Sequence, residues 1–380
     1  MATNTKRRGK KKSNKKIIIF IIELIVLLAL VLGLYIFMTL DKVDSSGEEF
    51  TTEEVNIDLS SETKEVLSGY TNIALFGLDN RSTGNYDGGN SDSIMIVSIN
   101  NDTKEVKIVS VYRDTYMNVK DDTYNKINSA YSYGGAKTAV AALNKNLNLD
   151  ITNYVSVDFS ALVDAVDLLG GIELELTAEE IEIMNDNYID EINQVTGKNS
   201  QMLDEVSGTY TVDGVQALAY CRIRYTAGDD FKRTERQRTV LTKMIEKAKG
   251  SSLTTISEFI NTMFDEISTN YTAADMISLA KNVMDYSIEE TQGWPFALTT
   301  GTFGSKGSLV VPCDLETNVQ DLHKYLFGNT NDISSTVSKI SEEIVNYTGC
   351  TVDSATRIQN PVTGSDNSES STDSTLDTAE

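Results

Sequence analysis

Residues 91–116 read "SDSIMIVSINNDTKEVKIVSVYRDTY". Two apolar runs, "SIMIVSI" and "EVKIVSVY", flank the turn-forming "NNDTK", which is the pattern of a β-hairpin. If the turn falls at residues 102 and 103, antiparallel register makes cross-strand partners sum to about 205. Asp92 and Arg113 then meet at the open end of the hairpin. Just upstream, "NIALFGL" is a continuous apolar run of the kind buried on both faces of a sheet. It ends at Asp79, at the carboxyl edge where open α/β sheets place their ligands.

Downstream, "GGAKTAVAALNKNL" reads as helix, "ITNYVSVDF" as extended, "SALVDAVDLL" as helix and "GIELEL" as extended. That alternation predicts an α/β fold, and the hairpin makes the central sheet mixed. No internal repeat is visible. The expected organisation is a basic arm (1–16), a transmembrane anchor (17–40), an acid-rich stalk (41–68), one domain (69–350) and a disordered acidic tail (351–380).

The anchor rests on composition. Residues 1–16 carry eight Lys and Arg and no acid, and residues 17–40 are apolar apart from Glu23 and Thr39. Such a run is long enough for a helix to cross a bilayer, it is long for a signal peptide, and no small-x-small cleavage site follows it. The positive-inside rule leaves the arm in the cytoplasm and the domain outside the cell. Beyond residue 40 stand 25 Lys and Arg against 55 Asp and Glu, which argues against nucleic acid as a partner.

Against that acidic background, residues 222–238 hold six Lys and Arg and only three acids. Asp213 is placed as the N-cap of a short helix, and Arg222 and Arg224 share a side if "CRIRY" is extended. A second helix is predicted from Asp230 as N-cap to Gly250 as stop. On it Leu241, Met244 and Ala248 form an apolar stripe that Arg233 and Gln237 extend, whereas Arg236 and Arg238 fall off it as solvated charges. Internal salt bridges could neutralise any one of these arginines. The group exceeds what Asp229 and Asp230 can balance, so an anion such as phosphate is expected among them.

With these segments in place, "FGLDNR", residues 91–116, "NKINSAYSYGG", "DLLGGIELEL" and "AYCRIRY" followed by "DFKRTERQ" resemble the LytR-CpsA-Psr family of cell-envelope phosphotransferases. The resemblance covers about residues 68–330. It implies a central mixed sheet between helices, a hydrophobic channel for a polyprenyl tail, and a pyrophosphate held by arginines with Mg2+ beside it. It also implies transfer of a glycan phosphate from polyprenyl pyrophosphate to peptidoglycan in Gram-positive envelopes. By the same resemblance Asp79 and Asp92 correspond to the metal-binding acids. Arg113, Arg222, Arg224, Arg233 and Gln237 correspond to the pyrophosphate contacts, with Arg81 as a helper. Met117 stands where some relatives carry a further basic residue, and Cys221 stands at a position that is often aliphatic.

A metal-assisted phosphotransferase, a non-catalytic lipid or glycan sensor and a pyrophosphatase all use such a site. Paired aspartates favour turnover, and the general base stays open between Asp79 and Asp92. His323, the only histidine, sits in "DLHKYLF" and reads as structural. Zinc chemistry lacks ligands, "GGAKT" lacks Walker spacing, and Cys313 with Cys350 is the one disulfide to consider.

Overall fold

A computed structural model describes residues 50–359, apart from 56, 79–85, 87, 225–228, 252–258, 260–261, 265, 273–274, 276–278, 280–283 and 290. The basic arm, the anchor, residues 41–49 and residues 360–380 lie outside the described residues.

The strands, in chain order, are β1 (Tyr70–Leu78), β2 (Ser91–Asn100), β3 (Glu105–Val111), β4 (Tyr116–Lys120), β5 (Thr123–Lys126), β6 (Asn153–Val157), β7 (Ile172–Leu176), β8 (Gly208–Val212), β9 (Ile267–Thr269), β10 (Ser287–Ile288), β11 (Gln292–Trp294), β12 (Ala297–Thr302), β13 (Ser308–Pro312) and β14 (Arg357–Ile358). The longer helices are α1 (Ser61–Leu67), α2 (Gly135–Leu147), α3 (Phe159–Leu168), α4 (Ala178–Met184), α5 (Asp190–Thr196), α6 (Gly214–Arg222), α7 (Asp229–Lys249), α8 (Leu315–Phe327) and α9 (Ser335–Thr348).

The continuous apolar run becomes β1, a central strand paired antiparallel to β2 and parallel to β6, and both of its faces are covered: Ala74, Phe76 and Leu78 enter one core cluster and Ile73 and Leu75 the other. The main sheet runs β10-β3-β2-β1-β6-β9, with β11 also on β3, and it is mixed as expected. Met95 pairs with Ser110 and Ile99 with Val106, the register that the hairpin predicts. Alternation along the strands divides the core. Phe76, Ile94, Ile96, Val109 and Val111 face one cluster, which includes side chains of α2, α8 and α9. Ile73, Met95 and Ile108 face the other, with Leu241 and Ile245 of α7.

Three expectations change. The span set down as a stalk packs on the domain from Phe50 onward: Phe50 stacks on Tyr154 at 5.5 Å and Val55 and Leu67 are fully buried, so its few apolar residues outweigh the acidic composition. The strand at "GIELEL" joins β8 in a small separate sheet rather than the main one. Residues 351–359 are not free tail, because β14 adds backbone hydrogen bonds along the edge of β12.

Candidate active site

The charged site is built on a defect in the sheet. Pairing between β1 and β2 runs regularly to Gly77 and Ser93, then continues with Leu78 against Ser91. Asp92 is therefore the extra residue of a β-bulge, a device that re-aims a side chain at a sheet rim. Gly77 permits it, since a Cβ there would stand 2.9 Å from that of Ser93. Asp92 Oδ1 accepts a hydrogen bond from Arg113 Nη1 at 2.7 Å, the meeting that the hairpin register predicts. Arg113 Nε lies 3.4 Å from Asp230 Oδ2. Burial works against the Arg113 charge, and Asp230 and Asp92 more than offset it, so its pKa is raised.

Asp230 belongs to the first turn of α7, one residue inside its start rather than at the N-cap, and it also holds Arg233 at 3.0 Å. Arg233 is only 3% exposed. Burial lowers its pKa; Asp230 opposes this, and Arg113 and Arg224 add to it. A buried guanidinium flanked by two others calls for more anion than Asp230 supplies. Arg236 and Arg238 depart from the expected solvated charges, because α7 is covered on more than one side. Arg236 Nε donates to Glu180 Oε1 at 2.9 Å, and Arg238 Nε to Thr291 Oγ1 at 3.2 Å.

Arg222 arrives on the last turn of α6, whose capping box joins Asp213 and Gln216 as the N-cap reading predicts. Helix continues through Cys221 and Arg222, so "CRIRY" begins helical instead of extended. The Arg222 guanidinium lies 5.0 Å from the Phe159 ring and 5.1 Å from that of Tyr188, with Glu191 at 3.4 Å. Tyr188 stands in a π-helical turn, Asn185–Ile189, between α4 and α5. Sequence reasoning missed all three neighbours, and no local pattern marks them. Arg224 Nη2 reaches Asp92 Oδ2 at 3.8 Å. Among the described residues, Arg113, Arg222, Arg224 and Arg233 thus pair with Asp92, Asp230 and Glu191, so internal pairing accounts for much of their charge.

Two of these groups, Asp92 and Arg222, line a cavity of about 320 Å³. Asp92, Arg222 and Gln237 contribute polar lining, and apolar walls come from Leu75, Met95, Leu162, Leu241, Met244 and Met263 among others. One space therefore joins a charged rim to an oily interior. Of the predicted inward stripe of α7, Gln237, Leu241 and Met244 line this cavity; Arg233 is buried outside it and Ala248 is only partly buried.

Asp79 and Arg81 lie outside the described residues. Leu78, where β1 ends, pairs with Ser91, the neighbour of Asp92. Among the described residues no cluster of three or more metal-ligating side chains occurs. Magnesium does not need one, as it usually takes one or two carboxylates and completes its shell with water and phosphate oxygens, a demand that a rim bearing Asp92 fits.

Other residues take structural roles. Met117 is fully buried in the core, so the position that is basic in some relatives has no access to the rim. Cys221, Cys313 and Cys350 are buried free thiols, and burial pushes Cys221 up to about 12. His323 is also buried: Nε2 donates to Leu147 O at 2.9 Å, and Nδ1 accepts from Asn331 Nδ2 at 2.9 Å.

The profile of the LytR_cpsA_psr family matches residues 34–296. The chain belongs to the LytR-CpsA-Psr family. It is similar to the polyisoprenyl-teichoic acid–peptidoglycan teichoic acid transferase TagU of Enterococcus faecalis, with 30% identity over 71% of this chain and 82% of that protein. The enzyme of the same name from Bacillus cereus is 32% identical over 70% of this chain and 83% of its own. The solved structure of TagT bound to LI-WTA shares the fold, with a TM-score of 0.51 and 22% identity over 75% of this chain and 92% of that one. The LytR-CpsA-Psr fold, a central mixed sheet with helices, is therefore common to both.

Proposed function

We propose that this protein transfers a teichoic-acid-type glycan phosphate from a polyprenyl-diphosphate carrier to peptidoglycan. The observation that carries the reading is the cavity itself, apolar within and bordered by Asp92, Arg222 and Gln237, with Arg113, Arg224 and Arg233 linked to the same rim through Asp92 and Asp230. A polyprenyl tail suits the apolar walls, and its two phosphates suit the guanidiniums. The names of the TagU relatives and the TagT structure support this assignment of donor and acceptor.

In the reaction proposed, a sugar hydroxyl of peptidoglycan attacks the sugar-side phosphorus of the diphosphate. The new phosphorus–oxygen bond forms as the bond to the bridging oxygen breaks. Polyprenyl phosphate leaves, and the hydroxyl proton passes to a carboxylate at the rim. Arg113, Arg222 and Arg233 stabilise the phosphoryl oxygens as charge shifts toward the leaving group. Asp92, with Asp79, would hold Mg2+, which supplies further charge neutralisation when bound. Residues 17–40 would anchor the chain, with the domain outside the cell.

The deciding experiment incubates the purified protein with a polyprenyl-diphosphate glycan, Mg2+ and peptidoglycan oligomers. A covalent glycan–peptidoglycan adduct is expected. Release of free sugar phosphate alone would make it a pyrophosphatase, and bound, unchanged lipid would make it a sensor; either outcome rejects transfer.

A further inference from the structure

Residues 297–359 lie beyond the span that the family profile matches. They form the β13-β12-β14 sheet with α8 and α9. Pairing of Leu298 with Arg357 lays β14 along the edge of β12. This carries the Arg357 guanidinium to 4.2 Å from the ring of Phe231, the residue after Asp230 on α7. Phe231 in turn meets Tyr112 edge-on at 4.6 Å, and Tyr112 immediately precedes Arg113. Gln359 Nε2 donates to Tyr112 Oη at 3.0 Å, which pins the strand beside the site. The seat of Tyr112 depends on Gly293, where a Cβ would come within 2.1 Å of Oη.

Arg357 is exposed and, among the described residues, pairs with no carboxylate, although the chain has 56 acids against 33 Lys and Arg. Stacking on an aromatic ring orients a guanidinium and leaves its hydrogen-bond donors free. Packing fixes the direction. Phe231 packs against the cluster of Tyr112, Leu298 and Val310, none of which lines the tail cavity.

We propose that Arg357 is a second anion contact for the donor, taking a phosphodiester of the glycan chain where it extends from the diphosphate away from the tail. This rests on the transfer reading above, which makes the donor anionic beyond its diphosphate. The test uses the full chain and two fluorescent polyprenyl-diphosphate donors, one bearing a neutral disaccharide and the other the same disaccharide extended by several phosphodiester repeats. Binding is read as Kd, and transfer is read separately. Arg357→Gln should weaken binding of the extended donor about tenfold, with a much smaller effect on the neutral one, and Arg357→Lys should restore most of the loss. Equal losses on both donors would make Arg357 a brace for α7, and unchanged affinity for the extended donor would leave it without a role; both overturn the proposal. Wild-type binding without transfer rejects the function proposed above while leaving the Arg357 comparison intact.

Discussion

Two buried polar regions of this molecule are completed differently. Between the sheet and α2, Asn144 donates to Val55 O and Ile151 O at 3.0 and 2.8 Å and accepts from Ile151 N at 2.8 Å. Asn146 ties both backbone groups of Asn118 in the same way, and both nitrogens of His323 are paired. Around the first half of α7, by contrast, Arg113 Nε, Arg233 Nε, Gln237 Oε1 and Arg238 Nη1 are buried with no hydrogen-bond partner among the described residues. A buried polar group left unmade costs about 1–3 kcal/mol, so the first arrangement serves stability. On the transfer reading, the second is left for a ligand to complete.

The largest expected contrast comes from Arg222. Arg222→Ala should lower the rate of transfer about a hundredfold to a thousandfold, the usual loss when one donor to a developing oxyanion is removed. Its side chain keeps 19% exposure, and its partners are a 3.4 Å ion pair and the faces of Phe159 and Tyr188, so the melting temperature should fall by no more than several degrees. Steady-state kinetics beside a thermal melt decide it. Full activity in the variant would remove Arg222 from the chemistry and the contrast with it.

The paired region should respond to pH in stability rather than in rate. Burial, opposed by backbone hydrogen bonds, lowers the His323 pKa from 6.5 to about 4. Because Leu147 O can only accept, Nε2 carries the proton and Nδ1 is the acceptor for Asn331; a second proton would set two donors face to face. The folded value is depressed, so the contribution is fully present above pH 6.5 and is lost as pH falls toward 4. By pH 5 the loss is about 2 kcal/mol. Urea midpoints of wild type and His323→Gln, measured from pH 7.5 to 5, should converge toward acid. Parallel curves would show that His323 does not carry the effect.

How much of this was legible in the sequence depends on the range of the interaction. The hairpin register, the cap at Asp213 and the inward stripe of α7 follow from residues a few positions apart, and the structure repeats them. The bulge at Asp92 is invisible until β1 and β2 are aligned, since it is a mismatch between two chains and not a property of either. The aromatic pair around Arg222 and the approach of Arg357 to Phe231 join distant segments, which periodicity does not report. Arg236 and Arg238 escape the sequence pattern for the same reason: one apolar stripe reveals one buried face, and α7 has partners on others. Composition misleads at residues 50–68, where five acids are interspersed with six apolar residues, of which Val55, Leu59 and Leu67 are buried.

The finest test of the comparison is Gln237. Its Oε1 is buried without a partner and its side chain lines the cavity beside Leu241 and Met244. If the amide were structural, replacing it would cost stability as replacing Asn144 should, since partners would be stranded. If it is kept for substrate, Gln237→Met fills nearly the same volume with apolar atoms and removes an unsatisfied group, so stability should hold or rise by up to about 1 kcal/mol. Transfer should fall about tenfold because one polar contact to the substrate is lost. Opposite signs in the two measurements are the signature of a residue selected for ligand over fold. A variant less stable and equally active would place Gln237 with Asn144 and erase the distinction between the two regions at its most exposed point.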